Sequence, residues 1–381
     1  MIPRDAETTI RRFARGYPIV VITGPRQSGK TTLARLAFSR KPYVSLENPD
    51  ERSFANQDPK GFLARFPSGA IIDEAQHCPD LFSYLQTIVD RKKKNGQFVL
   101  TGSQNFSLLA RITQSLAGRA GIVHLLPLSI GELRNGKLLG NLDDVLYRGL
   151  YPALYDRRLT PPDWYASYVM TYLERDVRQI ANIQNLSIFQ KFLKLCAART
   201  GQLLNLANLA VECGVAQGTA RSWLSVLEAS FVVHLLPPYH RNLGKRVVKT
   251  PKLYFCDTGL ACNLMSVQDA QHLAIHPQRA AIFETLIVSE LLKQRLNAGL
   301  RSNLYFWRDN IGTEVDVIIE EGDRIVPIEI KSGQTVTSDF VGPLTRWLKY
   351  AGSAAKNPGV VYGGHEAYKR TGIRFLPWRD L

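Results

Sequence analysis

Short apolar runs alternate with segments of helical spacing over the first 135 residues. Runs rich in β-branched residues and bounded by glycine, proline or polar residues are typical of buried strands. The predicted strands are residues 19–23, 43–46, 69–73, 97–101 and 121–126. Strands that alternate with helices form a parallel sheet whose faces are covered by those helices. The pattern therefore predicts an α/β domain at the start of the chain.

The first predicted strand runs into a glycine-rich segment. Residues 24–31 read GPRQSGKT, with two glycines five positions apart followed by lysine and threonine. Between a strand and a helix, such a loop wraps a polyphosphate with its backbone N–H groups, and the helix dipole adds positive potential. We expect Lys30 to contact the β and γ phosphates of ATP and the Thr31 hydroxyl to ligate Mg²⁺; a glycine-rich turn without a ligand is the alternative. The predicted nucleotide-binding residues are Gly24, Pro25, Arg26, Gln27, Ser28, Gly29, Lys30, Thr31 and Thr32.

A second apolar run ends in two adjacent carboxylates, in the segment AIIDEAQ at 70–76. In nucleotide hydrolases, an acid at the end of such a strand holds Mg²⁺ and a second acid polarises the attacking water. Asp73 is therefore the predicted metal ligand and Glu74 the predicted general base. The presence of a base favours a hydrolase over a nucleotide-binding switch.

Polar residues also follow the next predicted strand, in the segment GSQN at 102–105. Ser103 or Asn105 is expected to contact the γ phosphate or to orient the water, and capping of a helix is the alternative role. Further along, Arg119 is expected to reach the nucleotide of a neighbouring subunit and to stabilise transition-state charge there, with Arg111 as second candidate. The alternative for Arg119 is an arginine in the last turn of a helix with a glycine beyond it.

Composition narrows the class of protein. Of the 381 residues 45% are hydrophobic, yet no run of eighteen apolar residues exists and the first residues lack the apolar stretch of a signal peptide. The five cysteines are scattered without a C-x-x-C pair, which argues against a zinc site or a disulfide framework. We expect a reduced, cytoplasmic protein with no membrane partner.

The net charge of +15 is unevenly distributed. It is +9 over residues 1–160, +5 over 161–280 and +1 over 281–381. A basic excess of this kind suggests a polyanionic partner, most simply DNA, whereas basicity that serves only solubility is the alternative.

The middle of the chain contains a helix-turn-helix pattern. Residues 205–215 predict a helix that ends in a glycine turn, and residues 217–228 predict a second helix with polar residues at its start. An apolar run at 232–236 and a basic segment at 245–249 follow, as the strand and wing of a winged helix would. The predicted DNA-binding residues are Gln217, Thr219, Arg221, Lys245 and Arg246. A structural helical hairpin is the alternative.

The C-terminal segment carries a second constellation of charged residues. A predicted strand at 314–319 holds Asp316, and the predicted return strand at 325–331 holds Glu329 and Lys331 on one face. An acid followed by E-x-K on a partner strand is the arrangement of metal-dependent nucleases, in which Asp316 and Glu329 would bind Mg²⁺ and Lys331 would orient water. Glu284, on a predicted helix, would assist. The alternatives are a nuclease-like fold without activity and a solubilising edge hairpin.

Together these motifs resemble a family of prokaryotic AAA+ ATPases whose C-terminal half is a domain of unknown function with a nuclease-like fold. The matching segments are GPRQSGKTTLAR at 24–35, IIDEAQ at 71–76, LTGSQNFSLL at 100–109, SLAGR at 115–119, LPLSIGEL at 126–133, TYLERDV at 171–177, KLYFCDTGLA at 252–261, EVDVII at 314–319 and IEIKSG at 328–333. One departure is Leu150, where the family usually shows a glycine.

The resemblance implies an α/β fold with three parts. These are a P-loop parallel-sheet ATPase domain of the AAA+/ASCE type over residues 1–160, a helical and winged-helix domain over 161–270, and a restriction-endonuclease-like α/β domain over 271–381. In AAA+ relatives the arginine after SLAG is a finger, so the resemblance also implies a homo-oligomer, with a hexameric ring as the expected form.

Three functions are consistent with the sequence. The first is a Mg²⁺-dependent ATP hydrolase that oligomerises and binds or remodels duplex or branched DNA, including Holliday-type junctions. The second is an ATP-gated, metal-dependent nuclease. The third is a nucleotide-switched signalling or protein-binding module, for which negligible turnover and a protein partner are expected.

Overall fold

The computed structural model describes residues 2–103, 115–157, 159–173, 185–239, 248–337 and 340–381. The chain divides into two compact units. The first unit comprises Met1–Leu128, Ala229–Phe231 and Lys293–Arg301, and the second comprises Ser129–Glu228, Val232–Leu292 and Ser302–Leu381. Most of the predicted middle domain and most of the C-terminal domain therefore lie in one unit, and the division into three domains stays a prediction.

A parallel sheet of five strands forms the centre of the first unit, in the order β2-β3-β4-β1-β5. The strands lie within three residues of their predicted bounds: β1 Ile19–Gly24, β2 Tyr43–Ser45, β3 Ile71–Asp73, β4 Phe98–Ser103 and β5 Ala120–His124. Alternate residues of β1 enter two different apolar cores, because Ile19 and Val21 face one side of the sheet while Val20 and Ile22 face the other. The sheet is therefore buried on both faces, as a parallel sheet requires.

Five helices of the first unit lie among these strands within residues 2–103. They are α1 Ala6–Gly16, α2 Lys30–Ala37, α3 Pro49–Gln57, α4 Pro59–Ala64 and α5 Leu81–Lys92. Local sequence sets several of their starts: the side chain of Asn48 caps α3 and that of Asp58 caps α4, each with proline in the first turn. The helix α2 begins directly after the glycine-rich loop, which fixes that loop at the carboxyl end of β1.

The second unit begins with short helices and a three-stranded antiparallel sheet. The helices are α6 Ile130–Asn135, α7 Leu142–Arg148, α8 Ala153–Asp156, α9 Pro161–Tyr168, α10 Leu186–Ala198, α11 Leu206–Cys213 and α12 Gln217–Ala229. The strands are β6 Gln202–Leu203, β7 Val233–Leu236 and β8 Lys252–Phe255, in the order β6-β8-β7. The turn between α11 and α12 passes through Gly214 at a φ of 70°, so the predicted helix pair is present.

A junction at Asp257 follows β8 and explains the motif KLYFCDTGLA. The carboxylate accepts hydrogen bonds from the Leu150 N–H at 2.7 Å, the Tyr165 hydroxyl at 2.5 Å and the Leu260 N–H at 2.9 Å. The last of these caps helix α13, Thr258–Leu264. Because Leu150 contributes its backbone N–H and has a buried side chain, the departure from glycine at this position leaves the junction intact.

The second unit ends in a sheet of six strands, ordered β13-β14-β12-β11-β10-β9. The strands are β9 Leu304–Arg308, β10 Glu314–Glu321, β11 Arg324–Lys331, β12 Gly359–Tyr362, β13 Tyr368–Arg370 and β14 Ile373–Pro377, and the helices are α14 Ala270–Ile275, α15 Arg279–Asn297 and α16 Gly342–Ala351. The hairpin β10–β11 lies inside this sheet, since β11 also pairs with β12 and β10 with β9. The alternative of a solubilising edge hairpin is therefore wrong.

Two expectations from composition can be compared with the structure. All five cysteines are buried and free, with no disulfide among them. Within the described ranges, no helix is long and apolar enough to cross a membrane.

Candidate active site

The glycine-rich loop has a backbone that only glycine tolerates at two positions. Gly24 has a φ of 153°, and a Cβ there would lie 2.2 Å from the carbonyl oxygen of Leu125. Gly29 has a φ of 93° in the left-handed region at the start of α2. The chain therefore turns tightly between β1 and α2, and this places backbone N–H groups at the amino end of a helix, where anions bind favourably.

Lys30 lies within this loop. Its ammonium donates hydrogen bonds to the carbonyl oxygens of Pro25 at 2.7 Å and Gly24 at 3.2 Å, and the residue is only 6% exposed. A phosphate oxygen is a stronger acceptor for an ammonium than a carbonyl oxygen is. An incoming phosphate can therefore take over these hydrogen bonds.

The carboxylate of Asp73 accepts hydrogen bonds from hydroxyl groups on three different elements. Its Oδ1 accepts a hydrogen bond from the Thr31 hydroxyl at 2.9 Å and another from the Thr101 hydroxyl. Its Oδ2 accepts from the Tyr43 hydroxyl at 2.9 Å. A carboxylate beside a threonine hydroxyl is a set of hard oxygen donors that fits Mg²⁺. The structure thus brings together the two predicted metal ligands, Thr31 and Asp73, and adds Tyr43 and Thr101, which no sequence motif signalled.

Glu74 is held in place by two further polar groups. Its Oε2 accepts a hydrogen bond from the Gln76 side-chain amide, and the backbone N–H of Ser103 lies 3.4 Å from the same oxygen. Gln76 also donates to the Ser103 hydroxyl at 3.1 Å. Ser103 therefore lies beside the predicted base, whereas the other candidate of that strand end, Asn105, falls outside the described residues.

The charge of Glu74 is set by its surroundings. Burial by itself would raise the pKa of Glu74, but the positive charge of Lys30 and the hydrogen bond from Gln76 outweigh it and leave the pKa below its usual value. Arg26 acts in the same direction. The carboxylate is therefore ionised at neutral pH, as a group that polarises water must be.

The side chain of Arg4 forms hydrogen bonds that stabilise the glycine-rich loop. Its guanidinium donates to the carbonyl oxygen of Ser28 at 2.6 Å and to that of Leu126 at 2.7 Å. These two hydrogen bonds connect the middle of the glycine-rich loop to the segment after β5. The sequence contains no motif around Arg4 that would have indicated this contact.

Arg119 lies away from the loop of its own chain. It precedes β5, at the amino end of a parallel strand, whereas the glycine-rich loop follows the carboxyl end of β1. Its guanidinium forms two hydrogen bonds of 2.6 and 2.8 Å with the carboxylate of Asp90. A contribution to nucleotide chemistry by Arg119 therefore requires a second subunit and stays a prediction; Arg111 falls outside the described residues.

The helix pair of the second unit presents a polar face to solvent. Gln217 and Arg221 are exposed and Thr219 is half-buried on α12, while Trp223 and Leu224 on the opposite side are buried. This is the division that an amphipathic helix packed on a core shows. Two other predicted DNA-binding residues, Lys245 and Arg246, fall outside the described residues.

The four charged residues of the C-terminal constellation lie close together. Glu329 accepts a hydrogen bond from Lys331 at 2.7 Å, and the neighbouring carboxylates of Glu329 and Glu284 help to raise the pKa of Asp316, after burial as the largest cause. A buried lysine, Lys252, joins the group and no sequence pattern indicated it. Within the described residues, no set of three or more carboxylate, histidine or cysteine side chains is arranged to hold a metal ion.

Three stretches of the chain match known family models. Residues 16–134 match an AAA domain, residues 139–271 a domain of unknown function (DUF8612) and residues 279–381 a second domain of unknown function (DUF4143). Over 338 residues the chain is also 35% identical to an uncharacterized protein of Mycobacterium tuberculosis, a match that covers 87% of this chain and 74% of the mycobacterial protein. The chain belongs to the family of that mycobacterial protein. Residues 16–134 form an AAA-type ATPase domain, and the glycine-rich loop, Asp73 and Glu74 all lie within it.

Two solved structures show a distant similarity to this chain. The Walker-type ATPase of Pyrococcus abyssi is 16% identical, with a TM-score of 0.47 over 69% of this chain and 96% of that one. The RuvB Holliday junction branch migration motor of Thermotoga maritima is 18% identical, with a TM-score of 0.31 over 62% of this chain and 90% of that one.

Proposed function

We propose that this protein is a Mg²⁺-dependent ATP hydrolase that works as an oligomer and binds or remodels DNA. The observation that carries the hydrolase is the ionised carboxylate of Glu74, held by Gln76 and Ser103 next to the pair formed by Asp73 and Thr31. A nucleotide-binding switch needs a metal ligand but no such base. The position of Glu74 therefore favours turnover over simple binding.

Each residue of the site has a role in this reaction. Lys30 binds the β and γ phosphates. Thr31 and Asp73 would hold Mg²⁺, which would neutralise charge on the transferred phosphoryl group. Glu74 orients a water molecule and accepts its proton as the oxygen attacks the γ phosphorus, and the bond from that phosphorus to the β–γ bridging oxygen breaks to release ADP. Ser103 and Gln76 fix the direction of the Glu74 carboxylate, so its reorganisation during the reaction is small.

The oligomer is proposed from the position of Arg119. In its own chain this arginine lies at the edge of the sheet opposite the glycine-rich loop, so only the nucleotide of another subunit is within its reach. An arginine that enters a neighbouring site stabilises the negative charge of the transition state. A ring, with six subunits as the expected number, supplies every site with one such residue.

The DNA partner is proposed from charge and from the helix pair. The net charge is +15, and most of the excess lies in the first 280 residues. The exposed face of α12 offers Gln217 and Arg221 at the start of the helix, which is the part of a recognition helix that contacts DNA. Both features suit a phosphate backbone, since non-specific affinity for DNA is dominated by cation contacts.

The test is ATP hydrolysis by the wild type and by Glu74→Gln, each with a four-way junction, a linear duplex, a single strand and no DNA. Glutamine keeps the size and hydrogen bonds of the side chain but cannot accept a proton. We expect nucleotide affinity to persist and turnover to fall by about 10²–10³-fold. Stimulation by one form of DNA that is lost in Glu74→Gln supports the proposal and names the DNA substrate.

Two results would contradict it. Slow turnover that is the same with every form of DNA would exclude a DNA motor. It would favour the nucleotide-switched, protein-binding module. Full activity of Glu74→Gln would show that Glu74 is not the general base.

A further inference from the structure

Lys252 is a buried cation among the carboxylates of the C-terminal constellation. It lies on β8, with its side chain 4% exposed, and its ammonium is 3.0 Å from Oε1 of Glu284. The same ammonium forms a salt bridge with Glu314, the first residue of β10. Glu284 and Glu314 are thereby bridged by one positive charge. An unpaired ammonium would be costly in this environment, so the lysine is stable here only because of these partners.

The carboxylates of this group also accept hydrogen bonds from other protein donors. Glu284 accepts a second hydrogen bond from the Tyr254 hydroxyl, and Glu314 forms a 3.1 Å ion pair with Arg308. Oδ2 of Asp316 accepts a hydrogen bond from the backbone N–H of Ile330 at 2.7 Å. These bonds turn the carboxylates toward donors of the protein itself.

One of the two carboxylate oxygens of Glu329 also accepts a hydrogen bond from the protein. Its Oε1 accepts a 2.7 Å hydrogen bond from Lys331, and its buried Oε2 has no hydrogen-bond partner among the described residues. Oε2 of Glu284 and Oδ1 of Asp316 likewise accept no hydrogen bond within the described residues, yet these three acids are not arranged as a group that could hold a metal ion.

Most of the negative charge of the cluster is neutralised by cations of the protein itself. Four carboxyl groups (Glu284, Glu314, Asp316 and Glu329) face three cations (Lys252, Lys331 and Arg308). Each of the three cations lies within ion-pair distance of at least one of these carboxylates. Two carboxylates already share the Lys252 ammonium, and a divalent ion placed beside it would be repelled.

We infer that Lys252 is the resident cation of this centre, and that the centre does not bind Mg²⁺ or Mn²⁺ while Lys252 is in place. Lys252 of β8 then joins Glu284 of α15 to Glu314 of β10 in an ion-paired core, and the four predicted nuclease residues do not cut DNA with a metal ion. This inference is independent of the proposed ATP hydrolysis, which uses the other unit of the chain.

The test counts Mn²⁺ ions bound by the full-length protein, from the electron paramagnetic resonance signal of free Mn²⁺. We compare the wild type with Asp316→Asn, which keeps an oxygen acceptor for the Ile330 N–H but loses the charge. The site at Thr31 and Asp73 contributes equally to both proteins. We expect equal numbers of bound Mn²⁺, and one additional ion in the wild type would overturn the inference.

A second variant tests the inference from the other direction. Lys252→Met keeps the length of the side chain and removes its charge, and we expect it to bind one more Mn²⁺ than the wild type. The gain should vanish in Lys252→Met combined with Asp316→Asn and should be absent in Lys252→Arg. A folded Lys252→Met protein that gains no ion contradicts the role given to Lys252. If Lys252→Met does not fold, the comparison of wild type with Asp316→Asn decides the question alone.

Discussion

The Thr31 hydroxyl lies 2.9 Å from Oδ1 of Asp73, although 42 positions separate the two residues in the chain. Thr31 belongs to the first turn of α2 and Asp73 ends β3, with β4 between β3 and β1 in the sheet. The contact arises because the carboxyl ends of parallel strands meet at the same edge. A nucleotide and its metal ion would therefore bind at that edge.

Tyr43 is expected to stabilise this edge. Its hydroxyl donates to Oδ2 of Asp73, and burial, together with that hydrogen bond, raises the pKa of Tyr43 to about 12, so the donor stays protonated across the physiological range. Tyr43→Phe should lower the free energy of unfolding by about 1 kcal/mol, the usual net value of one hydrogen bond. Urea unfolding monitored by circular dichroism measures it. Tyr84→Phe, at an exposed tyrosine on α5, is the matched control and should show no change.

Gln76 is expected to act as a positioning residue for Glu74. Its amide hydrogen bond helps to lower the pKa of Glu74, so Gln76→Ala should raise that pKa and move the acid limb of the pH–rate profile toward higher pH. Turnover at neutral pH should fall by about tenfold because the carboxylate is less well oriented. The affinity for ATP should be unchanged. A pH–rate profile that superimposes on the wild-type curve would show that Gln76 plays no such part.

Arg119 and Glu74 are expected to belong to one active site contributed by two subunits. Arg119→Ala and Glu74→Gln should each be nearly inactive alone, because each removes one half of every site. In an equal mixture that assembles at random, about a quarter of the interfaces join an intact Glu74 to an intact Arg119, so activity should reappear. Phosphate release by the mixture, after exchange of subunits, measures it.

The partner of Arg119 supplies a control for that experiment. Asp90→Asn removes the ion pair within the chain and leaves the guanidinium in place. We expect this variant to keep its turnover, since the surface ion pair contributes little stability. If Arg119→Ala and Glu74→Gln are shown to assemble together and their mixture stays inactive, Arg119 does not act on the nucleotide of a neighbouring subunit.

Arg221 is expected to contact a phosphate of DNA. Arg221→Ala should weaken binding at every sequence alike and reduce the slope of log K against log salt by about 1, the release of one counterion. Arg324→Ala removes the same charge from the exposed first residue of β11, in the same unit, and should leave the slope unchanged. Fluorescence anisotropy of labelled duplex between 50 and 200 mM salt is the measurement. Equal slopes for both variants would contradict contact by α12.

Local sequence predicted the elements whose signal is local. Strand β1, the glycine-rich loop and helix α2 follow from apolar runs and from glycine at positions of positive φ. The helices α11 and α12 follow from periodicity and from the turn at Gly214. Where a motif combines several such signals within a dozen residues, the pattern alone specifies the backbone.

Contacts over long sequence separations were not predictable in the same way. Arg4 reaches the loop residue Ser28, and Lys252 reaches Glu284 and Glu314, although nothing near either cation marks it as different from a surface residue. The edge position that one alternative gave the β10–β11 hairpin is likewise wrong, because the hairpin also pairs in parallel with β12, which lies beyond helix α16 in the chain. The tertiary fold determines which residues these side chains and strands contact, and local sequence patterns do not predict such contacts.

The burial of the Lys252 ammonium changes how sequences of relatives are interpreted. Two chains with identical acids on β10 and β11 can differ in chemistry through one residue on β8, outside the E-x-K motif altogether. A relative with a neutral residue at this position is expected to hold a metal ion, and a relative with lysine is expected not to. The E-x-K motif is present in both chains, so it does not distinguish a nuclease from its ion-paired counterpart.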